Sequence, residues 1–107
     1  MPQPSATPDT SSIEREHLPP MYHVVLLDDN DHSYEYVIEM LRRIFIFSLD
    51  QAWRHAEEVD HTGRTVLIAC TLPEAEFARD QIHACGPDPL IPRSAGPMSV
   101  AIEPVGQ

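Results

Sequence analysis

The sequence predicts an α+β fold in which a three-stranded antiparallel sheet packs on three helices, in the order β-α-α-β-α-β. Two observations support this prediction. Short apolar runs rich in β-branched residues occur at three places, and three longer stretches between them carry apolar residues at helical spacing. With 107 residues and an apolar fraction of 42%, the chain has room for one small domain with a buried core.

The first strand is predicted over residues 21–28, because residues 24–27 are consecutive aliphatic residues, as in a strand covered on much of both faces. A polar turn follows, in which Ser33 is placed to cap a helix. The first helix is predicted over residues 34–47, where apolar residues recur every three or four positions. Its apolar stripe consists of Val37, Leu41, Ile44 and Phe45.

The second helix begins at a capping-box pattern, with Ser48 as the cap and Gln51 three residues later. Gly63 is expected to end this helix, because glycine readily adopts the backbone conformation that terminates helices. Residues 65–70 are apolar and β-branched and form the predicted second strand.

The third helix begins at a second capping-box pattern, formed by Thr71 and Glu74, and is expected to run to about residue 85. A proline-rich loop over residues 87–97 separates it from the last element. Residues 98–103 form the predicted third strand, which completes an α+β sandwich near the lower size limit for an unaided core.

Both ends of the chain are predicted to lie outside the folded domain. Residues 1–20 contain five of the 11 prolines and little that could be buried, so a flexible arm is expected there. The domain itself is expected over residues 21–104, followed by a tail of residues 105–107. No apolar run reaches the ~20 residues of a membrane span and no signal peptide is visible, so we expect a cytoplasmic protein.

The charge balance excludes several classes of partner and mechanism. The chain has 17 acidic residues against seven basic ones, all arginine, and a formal net charge of −10. Nucleic acids and anionic membranes are poor partners for such a chain, because they bind through basic side chains. The absence of lysine excludes a phosphate-loop lysine or a Schiff base. Cys70 and Cys85 are expected to be small apolar fillers in a reducing compartment.

No constellation of residues predicts an enzyme, a metal site or a cofactor. Asp28 and Asp29, at the end of the first strand, suggest the acidic pair with which response-regulator receivers hold Mg²⁺. A receiver needs about five βα units and a lysine, and this chain has three strands and no lysine. His55 and His61 lie six residues apart, on different sides of a helix. A binding module is therefore the favoured class, with a receiver-like signalling domain as an alternative.

Three segments of the chain carry a family resemblance. They read MYHVVLLDDNDHSYEYVIEML, VDHTGRTVLIACT and TLPEAEFARDQI, within residues 20–103. In this order they resemble the ClpS family, adaptors of the ATP-dependent Clp protease. The resemblance implies a non-catalytic adaptor that binds the free α-amino group and the bulky first residue (Leu, Phe, Tyr or Trp) of N-degron substrates. It also implies delivery to a ClpA-type AAA+ unfoldase, and no feature demands more than a monomer.

The resemblance also implies which residues hold the amino group. The family's ammonium-binding Asn falls on Asp28 and its His falls on Asp60, so carboxylates replace neutral acceptors. A carboxylate would make charge-assisted hydrogen bonds to the ammonium, which are roughly twice as strong as neutral ones. Whether Asp60 or its neighbour His61 takes the amine-binding role stays open. The implied amine-binding residues are Asp28, Asp29, Asn30 and Asp60, with His32 and His61 nearby.

A hydrophobic pocket for the first side chain is implied as well. The family's gate Met falls on Tyr34 and a second pocket Met falls on Ala56. The implied pocket residues are Tyr34, Val37, Ala56, Val59 and Met98. Docking on the unfoldase is assigned to the start of the third helix, at Pro73, Glu74 and Ala78. An alternative is a ClpS-like domain that docks on the unfoldase without recognising N-termini.

Overall fold

A computed structural model describes residues 19–106. Its elements follow the predicted order, and most of their ends lie within two residues of the predicted ones. They are β1 (Met21–Leu27), α1 (Tyr34–Ile44), α2 (Leu49–Thr62), β2 (Arg64–Thr71), α3 (Leu72–Ala84) and β3 (Ser99–Pro104). Of the arm predicted over residues 1–20, all but Pro19 and Pro20 lies outside the described residues.

The sheet has the strand order β2-β1-β3, and both pairs are antiparallel, as predicted. The central strand places Val24 and Leu26 on the side of the helices, where they are fully buried. Helices α2 and α3 pack on this face of the sheet, and α1 packs on both of them. An antiparallel sheet of this topology rules out the receiver-like alternative, which requires parallel βα units.

The helix ends show why the local signals are reliable. The Ser33 hydroxyl accepts a hydrogen bond from the Tyr36 amide at 3.2 Å and so caps α1. Ser48 and Gln51 form the reciprocal capping box that begins α2. Gly63 ends α2 in the left-handed region at φ 88°, as the sequence predicts. No helix within the described part of the chain has both the length and the apolar character needed to cross a membrane.

Helix α1 is shorter than predicted, because it ends at Ile44 and not at residue 47. Phe45 already has an extended backbone, with φ −115° and ψ 162°. The rings of Phe45 and Phe47 stack with centroids 5.2 Å apart, and Phe47 in turn stacks on His55 of α2 at 5.0 Å. The apolar residues that suggested a longer helix therefore pack the connection against α2.

The face of the sheet opposite the helices carries a charged pair. Arg64 on β2 donates to Glu103 on β3 at 2.7 Å, and β1 lies between these two strands. The pair therefore passes over the central strand. Val25, which points to this face because its neighbours Val24 and Leu26 point to the helices, is fully buried.

Candidate functional site

Tyr34, the first residue of α1, connects the two helices that flank the predicted site. Its hydroxyl donates a hydrogen bond to Asp60 Oδ2 at 2.8 Å, and its ring lies 5.3 Å from the ring of Trp53. Trp53, Ala56 and Asp60 share one face of α2, because they are separated by three and four residues. Tyr34 therefore lies across this face, over Ala56.

Asp60 and two further carboxylates, Glu57 and Asp28, act on the Tyr34 hydroxyl. Asp28 is held beside the end of α2, because its amide donates to the Gly63 carbonyl at 3.0 Å. The pKa of the Tyr34 phenol is raised above its ordinary value, first by the hydrogen bond to Asp60, then by burial and by the negative charges of Asp60, Glu57 and Asp28. The structure thus brings together two of the predicted amine-binding residues, Asp28 and Asp60, and adds Glu57.

The predicted pocket is closed in this structure. Val37, Ala56, Val59 and Met98 are only 1–3% exposed and belong to one core cluster that includes residues of every helix. Tyr34 packs on this cluster and remains partly exposed. A ligand side chain can therefore reach these four residues only after the packing over them rearranges. The same residues would be buried in a domain without any pocket, so burial by itself does not identify a site.

The raised pKa of Tyr34 gives a direct check on the contact with Asp60. We expect Asp60→Asn to bring the Tyr34 pKa down towards 10, because a neutral amide no longer opposes the phenolate. Tyr36 is the internal control: burial, followed by the charges of Cys85 and Asp88, raises its pKa to about 12. A pH titration of the tyrosine ring carbons by NMR measures both. An unchanged Tyr34 pKa in the variant would contradict the contact.

The other predicted amine-binding residues lie in a second polar cluster, in which the turn of residues 28–33 meets the proline-rich loop of residues 87–97. We name this cluster the polar clamp; its side chains are Asp29, His32, Ser33, Asp88 and Arg93. The His32 side chain is 1% exposed, with Nδ1 at 2.9 Å from Asp29 Oδ1 and Nε2 at 2.9 Å from the Gly96 carbonyl. Both ring nitrogens of this buried side chain are therefore engaged within the polar clamp.

Asp88 is the most highly connected member of the polar clamp. It is 2% exposed and accepts hydrogen bonds from the Ser33 amide and hydroxyl, at 2.6 and 2.8 Å, and from the Leu90 amide at 2.8 Å. Burial acts to raise the pKa of this carboxyl, but the hydrogen bonds from Ser33 and Leu90 and the nearby His32 outweigh it and lower the pKa. Asp88 is therefore an ionised acceptor that fixes the residue before Tyr34.

Arg93 completes the polar clamp from the loop side. Its guanidinium donates to Asp31 Oδ1 at 2.7 Å and to the Asn30 carbonyl at 2.8 Å. Asp29 and His32 are thus committed to the polar clamp, and the Asn30 backbone is held by it. Sequence reasoning missed Asp88 and Arg93, because their partners lie more than 50 residues away along the chain and no local pattern indicates these contacts.

The remaining predicted residues have different surroundings. His61 is exposed, and its Nδ1 donates to the Glu57 carbonyl of its own helix at 2.9 Å. On α3, Pro73 and Glu74 are exposed, whereas Ala78 belongs to the core and offers no surface to a partner. Glu74 accepts from the amide and hydroxyl of Thr71, which begins α3. Among residues 19–106 no group of three or more potential ligands is arranged to hold a metal ion.

Comparison with known proteins identifies the family. The model of the family described as "ATP-dependent Clp protease adaptor protein ClpS" matches residues 17–90. The ClpS adapter of Vibrio cholerae is 32% identical over 80 residues, covering 71% of this chain and 76% of that protein. The ClpS adapter of Campylobacter jejuni is 38% identical over 58 residues, covering 52% of this chain and 60% of that protein.

The architecture agrees with the sequence matches. Agrobacterium tumefaciens ClpS2, solved bound to L-phenylalaninamide, superposes with a TM-score of 0.64 at 25% identity, covering 81% of this chain and 99% of that one. The α+β fold and the non-catalytic class expected from the sequence are both confirmed by these relatives, because ClpS proteins are adaptors. The chain is a divergent member of the ClpS family of adaptors of the ATP-dependent Clp protease.

Proposed function

We propose that this chain binds the free α-amino group and the bulky hydrophobic first residue (Leu, Phe, Tyr or Trp) of N-degron substrates and delivers them, as a cytoplasmic monomer, to a ClpA-type AAA+ unfoldase. One observation carries the proposal. The related Agrobacterium ClpS2 binds L-phenylalaninamide, which consists of a free amine, an aromatic side chain and an amide. In this chain Asp28 and Asp60 lie near Tyr34, which packs on apolar core residues, and this arrangement suits the same chemistry.

The amine would be held by Asp28 and Asp60. In the closed state the Tyr34 hydroxyl, a neutral donor, occupies Asp60 at 2.8 Å. An α-ammonium is a cationic donor, so its bond to the carboxylate adds the attraction between two opposite charges, which the bond from a neutral hydroxyl lacks. The ammonium therefore displaces the hydroxyl from Asp60, with Asp28 and Glu57 adding to the attraction.

The first side chain would enter where the Tyr34 ring now lies. Rotation of Tyr34 would uncover Ala56, whose small side chain would let a ligand side chain approach Val37 and Val59. Opening exchanges the hydrogen bond from Tyr34 to Asp60 for one from the ammonium and loses the aromatic contact with Trp53, worth about 0.5–1.5 kcal/mol. Burying the large apolar side chain of the first residue contributes about 1.5–3 kcal/mol to binding. A bulky first residue therefore opens the pocket and a small one does not.

Fluorescence anisotropy with labelled peptides that differ only in residue one tests the proposal. We expect Leu, Phe, Tyr and Trp peptides to bind at least about tenfold more tightly than an Ala peptide, because only they offset the cost of opening. N-acetylation of the Phe peptide should abolish binding, since it removes the cation, and added salt should weaken binding. Equal affinity for the acetylated copy would contradict the proposal.

The closed pocket favours one second candidate function. A ClpS-like domain whose Tyr34 never leaves Asp60 would dock on the unfoldase without recognising N-termini. In that case no peptide of the series binds, while the purified unfoldase still does. The exposed start of α3, with Pro73 and Glu74, is the surface we propose for docking in either case.

A further inference from the structure

An apolar groove adjoins the closed pocket on the far side of Tyr34. It lies between α1 and α2, has a volume of about 560 Å³, and is lined by Ile38, Leu49, Asp50 and Trp53. Leu49 and Trp53 are 56% and 45% exposed, which is high for large apolar side chains in a small domain. Asp50 is paired with Arg54 at 2.8 Å, so the charged part of the groove is neutralised. The chemistry of the groove therefore suits an apolar occupant.

The position of the groove relates it to the proposed amine site. Trp53 contacts the Tyr34 ring, so the groove begins where the closed gate ends. Asp60 and Trp53 are seven residues apart on α2, which corresponds to about 10 Å along the helix. An extended peptide advances about 3.3–3.6 Å per residue, so its third residue lies about 7 Å beyond the first, and a long side chain there reaches across the remaining distance. Side chains one and three of an extended chain point to the same side.

We infer that the groove of Ile38, Leu49 and Trp53 binds the side chain of the third residue of the N-terminal peptide and selects a large apolar residue there. The inference rests on the proposed function, because the bound amine sets the register. The second side chain points away from the protein and is not selected. The substrate class is thus narrowed from any bulky first residue to a bulky first residue followed by an apolar residue at position three.

Matched peptides test this inference on the full chain. All begin with Phe. In the first pair position two is Ser, and position three is either Leu or Ser. In the second pair position three is Ser, and position two is either Leu or Ser. We expect Leu at position three to tighten binding about three- to tenfold over Ser, from partial burial of one apolar side chain. The same exchange at position two should change the affinity less than twofold.

Two variants locate the effect. Trp53→Ala and Leu49→Ala should each reduce the preference for Leu at position three to less than twofold. Leu49→Ala matters because it leaves the contact between Trp53 and the gate intact. Phe77→Ala, which removes an exposed aromatic ring on α3, is the matched control and should keep the full preference. The ratio of the two affinities is compared within each variant, so a general change in gate opening cancels.

Each outcome has a definite meaning. Equal affinity for Leu and Ser at position three, with acetylation-sensitive binding of the Phe peptides intact, overturns the inference and leaves the proposed function standing. A gain at position two as large as that at position three, or a gain that survives both groove variants, overturns it as well, since apolar contact elsewhere would then be the cause. If no free-amine peptide binds, the proposed function and the inference fall together.

Discussion

Replacing Asp88 with alanine should lower the free energy of unfolding by about 3 kcal/mol, the largest stability loss we expect from a single polar substitution in this chain. The carboxylate is 2% exposed and accepts three hydrogen bonds, two from Ser33 and one from Leu90. Its removal leaves buried donors without partners, which costs more than the net gain of making the bonds. It also removes the negative charge that accompanies His32.

Urea unfolding followed by circular dichroism measures this loss. The matched control is Asp80→Ala, which removes an exposed carboxylate whose partner is Arg79 and should change stability by less than about 0.5 kcal/mol. If the two variants were equally stable, the polar clamp would not hold the loop to the turn.

The effect of Asp88 also has a defined pH dependence. Because the folded state lowers the pKa of Asp88, its stabilisation is fully present above the ordinary aspartate value of about 3.9 and is lost as pH falls below that value through the folded pKa. The stability difference between wild type and Asp88→Ala should therefore be present at pH 5 and shrink below about pH 4. A difference that grew on acidification would contradict this sign.

Replacing Asp60 with alanine should weaken binding of a Phe-first peptide by about 10- to 100-fold. The reason is the loss of a hydrogen bond between two charged groups, worth about 1.5–3 kcal/mol. Anisotropy titration at low salt measures the change, and Asp60→Asn, which keeps one acceptor oxygen, should lie between alanine and wild type. Glu76→Ala, which removes an exposed carboxylate on α3, should leave the affinity unchanged.

One further variant separates the two roles of Asp60, because its loss also frees the Tyr34 hydroxyl. Tyr34→Phe removes the same hydrogen bond from the gate and keeps the carboxylate. It should bind the Phe-first peptide at least as tightly as wild type, since the ammonium no longer competes with the hydroxyl. If Tyr34→Phe weakened peptide binding as strongly as Asp60→Ala, peptide binding would depend on the hydrogen bond between Tyr34 and Asp60 and not on the Asp60 carboxylate.

The fold was predictable because its signals are local. Ser33, Ser48 and Gly63 act within three or four residues of their own position, so their patterns determine where helices begin and end. The error at the end of α1 has the opposite cause. Phe45 fits the helical stripe, but its ring stacks on Phe47, which in turn stacks on His55 of the next helix. This packing against α2 outweighs the local pattern.

The candidate site was predictable only in part. Asp28, Tyr34 and Asp60 were assigned from the family resemblance, and the structure brings them together. Asp29 and His32 were assigned to the same place, and the structure adds hydrogen bonds that the sequence did not indicate, between these two side chains and from His32 to Gly96 of the loop of residues 87–97. That loop is a sequence of prolines and short polar residues without periodicity, so nothing in it indicates that Asp88 lies against Ser33, 55 residues earlier.

The charged pair over the central strand has a consequence for how the molecules behave at high concentration. A small sheet covered by helices on one side presents an apolar strip on its other side, here Val66 and Ala101 flanking the buried Val25. Such strips invite a second sheet to stack on them. Arg64 and Glu103 add little stability as an exposed ion pair, but any approaching sheet would have to strip water from both. We therefore expect the pair to disfavour face-to-face association of two molecules.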